Sequence, residues 1–195
     1  NSLVASANNN TVNYSGDANQ PIKSATYYNL TISDPNTASP NLKTLGGLVT
    51  VNGTLDLVAG HVVLGANNLV IGPSGTITGY DASDYIEAVG TGVLNQPVSA
   101  ANTVFPVGTA SSYLPITMEN SGTADNYSVN LFASVTVNGL SGGAPVSYLE
   151  SCVESTWKIS EDVASGSNLT VTLQWNAADE GSLFVRNNCS IGHYS

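Results

Sequence analysis

Three carboxylates fall within one short stretch, Asp81-Ala-Ser-Asp84-Tyr-Ile-Glu87, beside Tyr80 and around Tyr85. Oxygen-rich clusters of this kind suit Ca²⁺, which takes several carboxylate and carbonyl ligands. The spacing matches no EF-hand, and a solvated acidic loop accounts for the same residues. Two more acidic pairs, Glu161-Asp162 and Asp179-Glu180, are further candidates for facing each other across the sandwich loops, where solvated loops account for them equally. Paired carboxylates can serve glycoside hydrolysis. Lyase chemistry on acidic glycans needs a base and cationic groups that neutralise the substrate carboxylate. Here the cations are only Lys23, Lys43, Lys158 and Arg186, scattered over both halves. His61 lies in an alternating stretch and reads as a surface residue. No nucleophile elbow, Cys–His pair, phosphate loop or metal-ligand His spacing is present. The reading is non-enzymatic, with calcium at Asp81, Asp84 and Glu87 as the sole cofactor candidate.

Cys152 and Cys189 are the only cysteines. A metal pair or a catalytic thiol lacks companions, since His193 is the only close imidazole. The expectation is a structural disulfide, which contributes about 3–4 kcal/mol in the chain-entropy model and implies an oxidising, extracellular setting. Tyr27, Tyr28, Tyr80 and Tyr85 have amide and carboxylate neighbours and are candidate stacking surfaces for a polysaccharide. Seven Asn-x-Ser/Thr sequons, at Asn9, Asn13, Asn29, Asn52, Asn126, Asn168 and Asn188, are candidate glycosylation sites. An Asn- and Thr-rich chain also produces such triplets by chance.

The elements that must position these residues are strands. From Thr44 to Tyr80, apolar residues alternate in short runs separated by Asn-Gly, Ala-Gly, Gly-Ala-Asn-Asn and Gly-Pro-Ser-Gly. Period two is the strand period, and Gly and Asn tolerate the backbone of tight corners. Apolar pairs recur at Leu30 and Ile32, at Val49 and Val51, and at Leu69 and Ile71. A step of about twenty residues with three strands inside it is the period of a β-solenoid coil. From about Ser111 the strands lengthen and gain aromatic residues, as in NYSVNLFASVTV and NLTVTLQWN, and suggest an antiparallel β-sandwich. Trp157 and Trp175 read as core anchors there. The division expected is an N-terminal extension (1–24), a solenoid (25–110) and a sandwich (111–195) that looks unfinished at its end. Asn1 reads as a mature or trimmed N-terminus. The extension carries two apolar islands, Leu3-Val4 and Val12 with Tyr14. It reads as a frayed end or a first irregular coil, or as a strand donated to the sheet edge of a neighbouring molecule.

Composition narrows the function classes. The chain is 42% hydrophobic and only 9% charged, against roughly 25% charged in ordinary soluble domains. Its formal net charge of −10 leaves no cluster of Lys and Arg to displace counterions, which argues against nucleic-acid binding. No apolar run reaches the length of a membrane span, so membrane insertion is not expected.

The blocks TYYNLTI, KTLGGLVTVNGTLDL, FPVGT, YLPITM, STWKI and NLTVTLQWN resemble those of secreted Bacteroidetes surface proteins, long adhesin-like chains exported by the type IX system. The resemblance implies secretion, cell-surface or matrix placement and a β-rich fold, and it brings no catalytic residues. The function expected is a secreted structural or adhesive protein. Its partners would be copies of itself, assembled into a fibre or matrix by strand addition, or other surface and matrix components. The alternative is a polysaccharide-binding module.

Overall fold

The computed structural model describes residues 3–7, 9–36 and 42–194. Between Asp34 and Asn41 the sequence is rich in Pro and Asn, and residues 37–41 of that stretch lie outside the described residues.

Alternating runs bounded by Gly and Asn fold as short strands with corners between them, and four successive sets of three wind into a parallel solenoid. Coil one holds β1 (Thr11–Tyr14), β2 (Gln20–Ile22) and β3 (Ala25–Tyr27), and coil two holds β4 (Asn29–Ser33), β5 (Lys43–Leu45) and β6 (Val49–Val51). Coil three holds β7 (Thr54–Ala59), β8 (Val62–Gly65) and β9 (Leu69–Ile71), and coil four holds β10 (Thr76–Thr78), β11 (Ile86–Gly90) and β12 (Leu94–Val98). Equivalent strands stack into three faces, β1-β4-β7-β10, β2-β5-β8-β11 and β3-β6-β9-β12. The inward residue of each alternation, such as Leu55, Leu57, Val62, Leu64, Leu69 and Leu94, is fully buried.

The coil length is uneven. The step is 18 residues from Thr11 to Asn29, 20 from Val49 to Leu69 and 25 from Leu30 to Leu55. Val49 and Val51 stack on Leu69 and Ile71 as the twenty-residue step predicts. Leu30 and Ile32 do not belong to that column; they stack on Leu55 and Leu57, while Val49 and Val51 take Ala25 and Tyr27. Alternation looks the same on every face, so spacing alone cannot assign a pair to its column. One corner is fixed by backbone conformation. Gly90, at φ 123°, stacks on Gly65, and a Cβ there would run into the Gly65 carbonyl oxygen.

The stretch expected as an extension holds the first two strands of coil one. Val12 and Tyr14 pair with Leu30 and Ile32, so these two proposed donor residues are already in a ladder of their own molecule. Leu3 and Val4 are exposed, while Ala5 is buried in the core and its carbonyl accepts the Tyr28 N–H. Val12 and Tyr14 are only two apolar residues in a polar stretch, which is too short a run to distinguish a coil from a loose end.

The solenoid passes into an antiparallel part without a break in the core. After β13 (Thr103–Phe105) and β14 (Val107–Gly108) come β15 (Ile116–Asn120), β16 (Asp125–Phe132), β17 (Thr156–Glu161) and β18 (Leu169–Leu173). Strand β16 pairs antiparallel with β12 and β17, and β14 extends the second face beyond β11. Strands β13, β15 and β18 form a second antiparallel layer. Tyr127, Val129 and Leu131 of one layer and Ile116 and Met118 of the other are buried between them. The Trp157 indole N–H donates to the Leu114 carbonyl at 3.0 Å, and Asn120 Nδ2 lies 3.4 Å from Tyr127 Oη, so polar groups also join the layers.

Lys43 holds the N-terminal end of the solenoid. It occupies an inward position of β5 and is fully buried. Its Nζ contacts Asp34 Oδ2 at 3.2 Å and donates to the carbonyls of Gly16 at 2.8 Å and Ala18 at 3.0 Å. An ammonium has three donors, and each is met. Removing one partner of a buried pair leaves an uncompensated charge, which costs about 3–5 kcal/mol. Lys43→Met is therefore expected to lower the unfolding free energy by about that amount in urea titrations, and adding Asp34→Asn should recover part of the loss. An unchanged midpoint in the single variant would show that the pair does not hold coil one.

Candidate functional site

The acidic loop spends its carboxylates on backbone. Asp81 Oδ1 accepts the N–H groups of Ser83 at 2.6 Å and Asp84 at 3.1 Å, an Asx-type turn. Asp84 accepts the Gly60 N–H and ties the loop of coil four to the corner of coil three. Glu87 is one strand further on, in β11, paired with Val63 and Gly108. Among the described residues no three His, Cys, Asp or Glu side chains converge to hold a metal ion. The expected calcium set of Asp81, Asp84 and Glu87 is thus not brought together. His61 stacks on Tyr85 with ring centroids 4.0 Å apart, and Tyr85 continues to Tyr113 at 5.4 Å. Burial pushes both tyrosine hydroxyls up to about 12.

The other carboxylate pairs are also apart. Glu161 Oε1 accepts the Ser165 N–H at one end of β17, and Asp162 accepts from Asn95 Nδ2 at 3.0 Å. Asp179 lies by the opposite end of that strand, where its carbonyl accepts the Glu154 N–H and its carboxylate accepts from Ser112 Oγ. Glu180 binds the Trp175 indole N–H and Arg186. Each acid is tied to its own surroundings, and the two pairs do not face each other.

Cys152 and Cys189 are free thiols, which corrects the expected disulfide. The Cys152 Sγ turns to the Tyr148 carbonyl at 3.5 Å, and the exposed Cys189 Sγ turns to the Arg186 carbonyl at 3.1 Å. Both bond backward into their own short 3₁₀ turns, Leu149–Ser151 and Arg186–Asn188, and neither faces the other.

Two of the four candidate stacking tyrosines are core residues. Tyr27 is buried and donates its hydroxyl to the Lys23 carbonyl at 2.7 Å, and Tyr85 is buried and donates to the Thr109 carbonyl at 2.8 Å. Neither has a free face for a sugar. Tyr28 and Tyr80 are half-buried. Tyr80 sits on an open groove of about 290 Å³ with Thr76, Ile77, Gln96, Asn102 and Thr103.

Among the sequons, Asn9, Asn13, Asn52, Asn168 and Asn188 are exposed, and Asn29 and Asn126 are half-buried. Asn29 bridges three coils, donating to Thr11 Oγ1 and accepting the Thr54 N–H, and Asn168 Nδ2 donates to Ser121 Oγ. These two amides are structural.

Two strand edges of the antiparallel part are uncovered. β17 pairs only with β16, and β18 only with β15, among the described residues. Gln96 of β12 donates its Nε2–H to the Val104 carbonyl of β13, which sets those strands at one side of the two layers and leaves β17 and β18 at the other. Their inward residues Trp157, Ile159, Leu169, Val171 and Leu173 pack on the core but remain only partly buried. Trp175, expected as a core anchor, is likewise half-buried, with its ring edge-on to Phe184 at 6.0 Å. The sequence signal for this feature was the lengthening of apolar runs after Ser111; which edges stay open depends on strand order, which alternation does not encode.

Comparison with protein-family models, with curated proteins and with solved structures gives no match.

Burial of Asp84 raises its carboxyl pKa, opposed by the Gly60 N–H and aided by the Asp81 charge. A folded pKa above the unfolded value means stability that is present below the unfolded pKa and is lost as pH rises through the folded one. Asp84→Asn keeps an oxygen for Gly60 and removes the half-buried charge. It is expected to raise the melting temperature at neutral pH by about 1–3 °C, with the difference vanishing below about pH 4. Calorimetry at the two pH values checks this; destabilisation at neutral pH would show that the ionised form is the preferred one.

Proposed function

We propose that the chain is a non-enzymatic structural and adhesive protein of the cell exterior that assembles with copies of itself by strand-edge pairing. The observation that carries this reading is β18, Leu169-Thr-Val-Thr-Leu173, an outer strand with no charge, no Pro and no covering strand among the described residues. Soluble proteins blunt such edges with Lys, Pro or bulges, because an unpaired row of N–H and C=O groups templates further pairing. Several other edges carry guards, while β1, β3 and β10, which end their coil faces without charge or Pro, are only three or four residues long. Pro21 interrupts β2. β17 carries Lys158 and Glu161. The Val104 carbonyl in β13 accepts from Gln96 Nε2 at 2.8 Å. The resemblance to exported Bacteroidetes surface chains supports an extracellular or surface setting. This edge is favoured over donation of the N-terminal strand, because Val12 and Tyr14 would first have to leave their ladder with Leu30 and Ile32.

Sedimentation velocity over a concentration series, with negative-stain electron microscopy of the same samples, tests the reading. Oligomers or filaments that grow with concentration are expected. A monomer at every concentration up to about 1 mM would remove self-assembly as the function.

A second reading, a polysaccharide-binding surface, rests on the Tyr80 groove. Its lining combines one half-buried ring with hydroxyl and amide side chains and contains no charged residue. In a chain of net charge −10, such a groove suits a neutral glycan rather than an acidic one. Tyr80→Ala is expected to weaken binding of a neutral oligosaccharide about tenfold in calorimetric titration. Equal binding by the variant would dismiss the groove.

A further inference from the structure

Register along β15 and β18 fixes which groups of the outer edge are free. The Ser121 N–H donates to the Asn168 carbonyl, and the Gln174 N–H to the Pro115 carbonyl. With Thr170 opposite Glu119 and Thr172 opposite Thr117, alternation of the antiparallel ladder turns the N–H and C=O groups of Thr170 and Thr172 towards β15. The N–H and C=O groups of Leu169, Val171 and Leu173 then point outward, to the edge where no described strand lies.

The sequence of β18 is a palindrome, Leu-Thr-Val-Thr-Leu. From this geometry we infer that β18 pairs antiparallel with β18 of a second copy, about a two-fold axis at Val171. The inference rests on the self-assembly reading and names its junction. In that register Val171 faces Val171 of the partner subunit, and Leu169 faces Leu173 of the partner subunit. Both are hydrogen-bonded pairs, so each outward N–H meets an outward C=O, and no group of the edge is left over. Slipping the register by one residue would set Thr170 and Thr172, whose backbone groups are already used, against the partner's free groups. Among the registers that keep this alternation, the one centred on Val171 pairs all three outward residues, whereas a two-residue slip leaves one of them unpaired.

Side chains agree with the backbone. Leu169, Val171 and Leu173 are the inward, half-buried residues of β18, and Thr170 and Thr172 are exposed on the outer side. Pairing continues the apolar inner face across the axis, next to the half-buried Trp157 and Ile159 of the facing layer. It also joins two three-stranded layers, β13-β15-β18, into one six-stranded sheet. A two-fold contact is self-complementary and closes on itself. It therefore makes a dimer, and a filament needs a second contact elsewhere on the molecule.

The test uses the whole chain with both cysteines replaced, Cys152→Ser and Cys189→Ser. Thr170 and Thr172 of the partner subunit are opposite each other in a non-hydrogen-bonded pair, where side chains approach most closely. A chain carrying Thr170→Cys mixed with one carrying Thr172→Cys is expected to give a disulfide-linked dimer under mild oxidation. Val171→Pro, which removes an outward N–H and no hydrogen bond to β15, is expected to weaken dimerisation at least about tenfold in sedimentation equilibrium, whereas Val171→Ala, which also gives up the valine methyl groups, keeps the N–H and much of the affinity. Oligomers that persist in Val171→Pro, with no cross-link in the mixture, would overturn the β18 junction and leave self-assembly standing. A chain that is monomeric in every form overturns both.

Discussion

A coil of three short strands has one inward row of side chains and nothing of its own to set against them. Leu55, Leu57, Val62, Leu64, Leu69 and Ile71 are buried because the coils above and below supply the missing surface. Everything else about the molecule follows from the need to stop that stacking. At the N-terminal end the carbonyl of the buried Ala5 accepts the Tyr28 N–H, and Tyr27 is held by hydroxyl contacts with Tyr14 at 3.1 Å and the Lys23 carbonyl, while Lys43 reaches from coil two to carbonyls of coil one. At the other end the third face changes direction. Strand β16 runs antiparallel to β12, and a second layer folds over it. The antiparallel part is thus the termination of the solenoid, built on the same core.

The same constraint explains a chain that is polar yet barely charged. Each corner exposes backbone groups that the strand ladders cannot reach, and amide side chains reach across coils to meet them. Asn67 Nδ2 donates to the Leu45 carbonyl, Asn68 Oδ1 accepts the Val93 N–H, and Asn19 Oδ1 accepts the Leu42 N–H. Asp84 does the same work with a carboxylate, and Asp81 fastens its own turn. A neutral amide fills this role without the repulsion that stacked like charges would bring. Residues that look like ligands or glycan acceptors in the sequence are to this extent corner fasteners.

How far the sequence could be read follows from which information is local. Strand existence at Val49–Val51 and Leu69–Ile71, and their stacking at a twenty-residue step, are consequences of alternation and turn residues. The column of Leu30 and Ile32 is set by corner lengths, which alternation does not report. Lys43 has apolar neighbours on only one side in the sequence, and its burial is decided by carbonyls of Gly16 and Ala18 far along the chain. Tyr27 and Tyr85 carry polar neighbours and were expected on the surface, yet both occupy inward or corner positions where a ring fills space and a hydroxyl finds a carbonyl. Cysteine count suggests a bridge, whereas each thiol direction is set by a local 3₁₀ turn.

The edges show where stacking and termination leave a remainder. Ending a solenoid in a two-layer antiparallel unit closes the core along the axis but creates lateral edges that the coils themselves never had. In a chain with 9% charged residues, few side chains are available to guard them, and those present are unevenly placed. Lys158 and Glu161 fall on β17, while β18 has Thr170 and Thr172 outward and apolar residues inward, a composition suited to the middle of a sheet. A central-strand composition at an outer position is a local conflict if the chain stays alone. The conflict disappears when another strand continues the layer, because the same three residues then finish both the hydrogen-bond ladder and the apolar face.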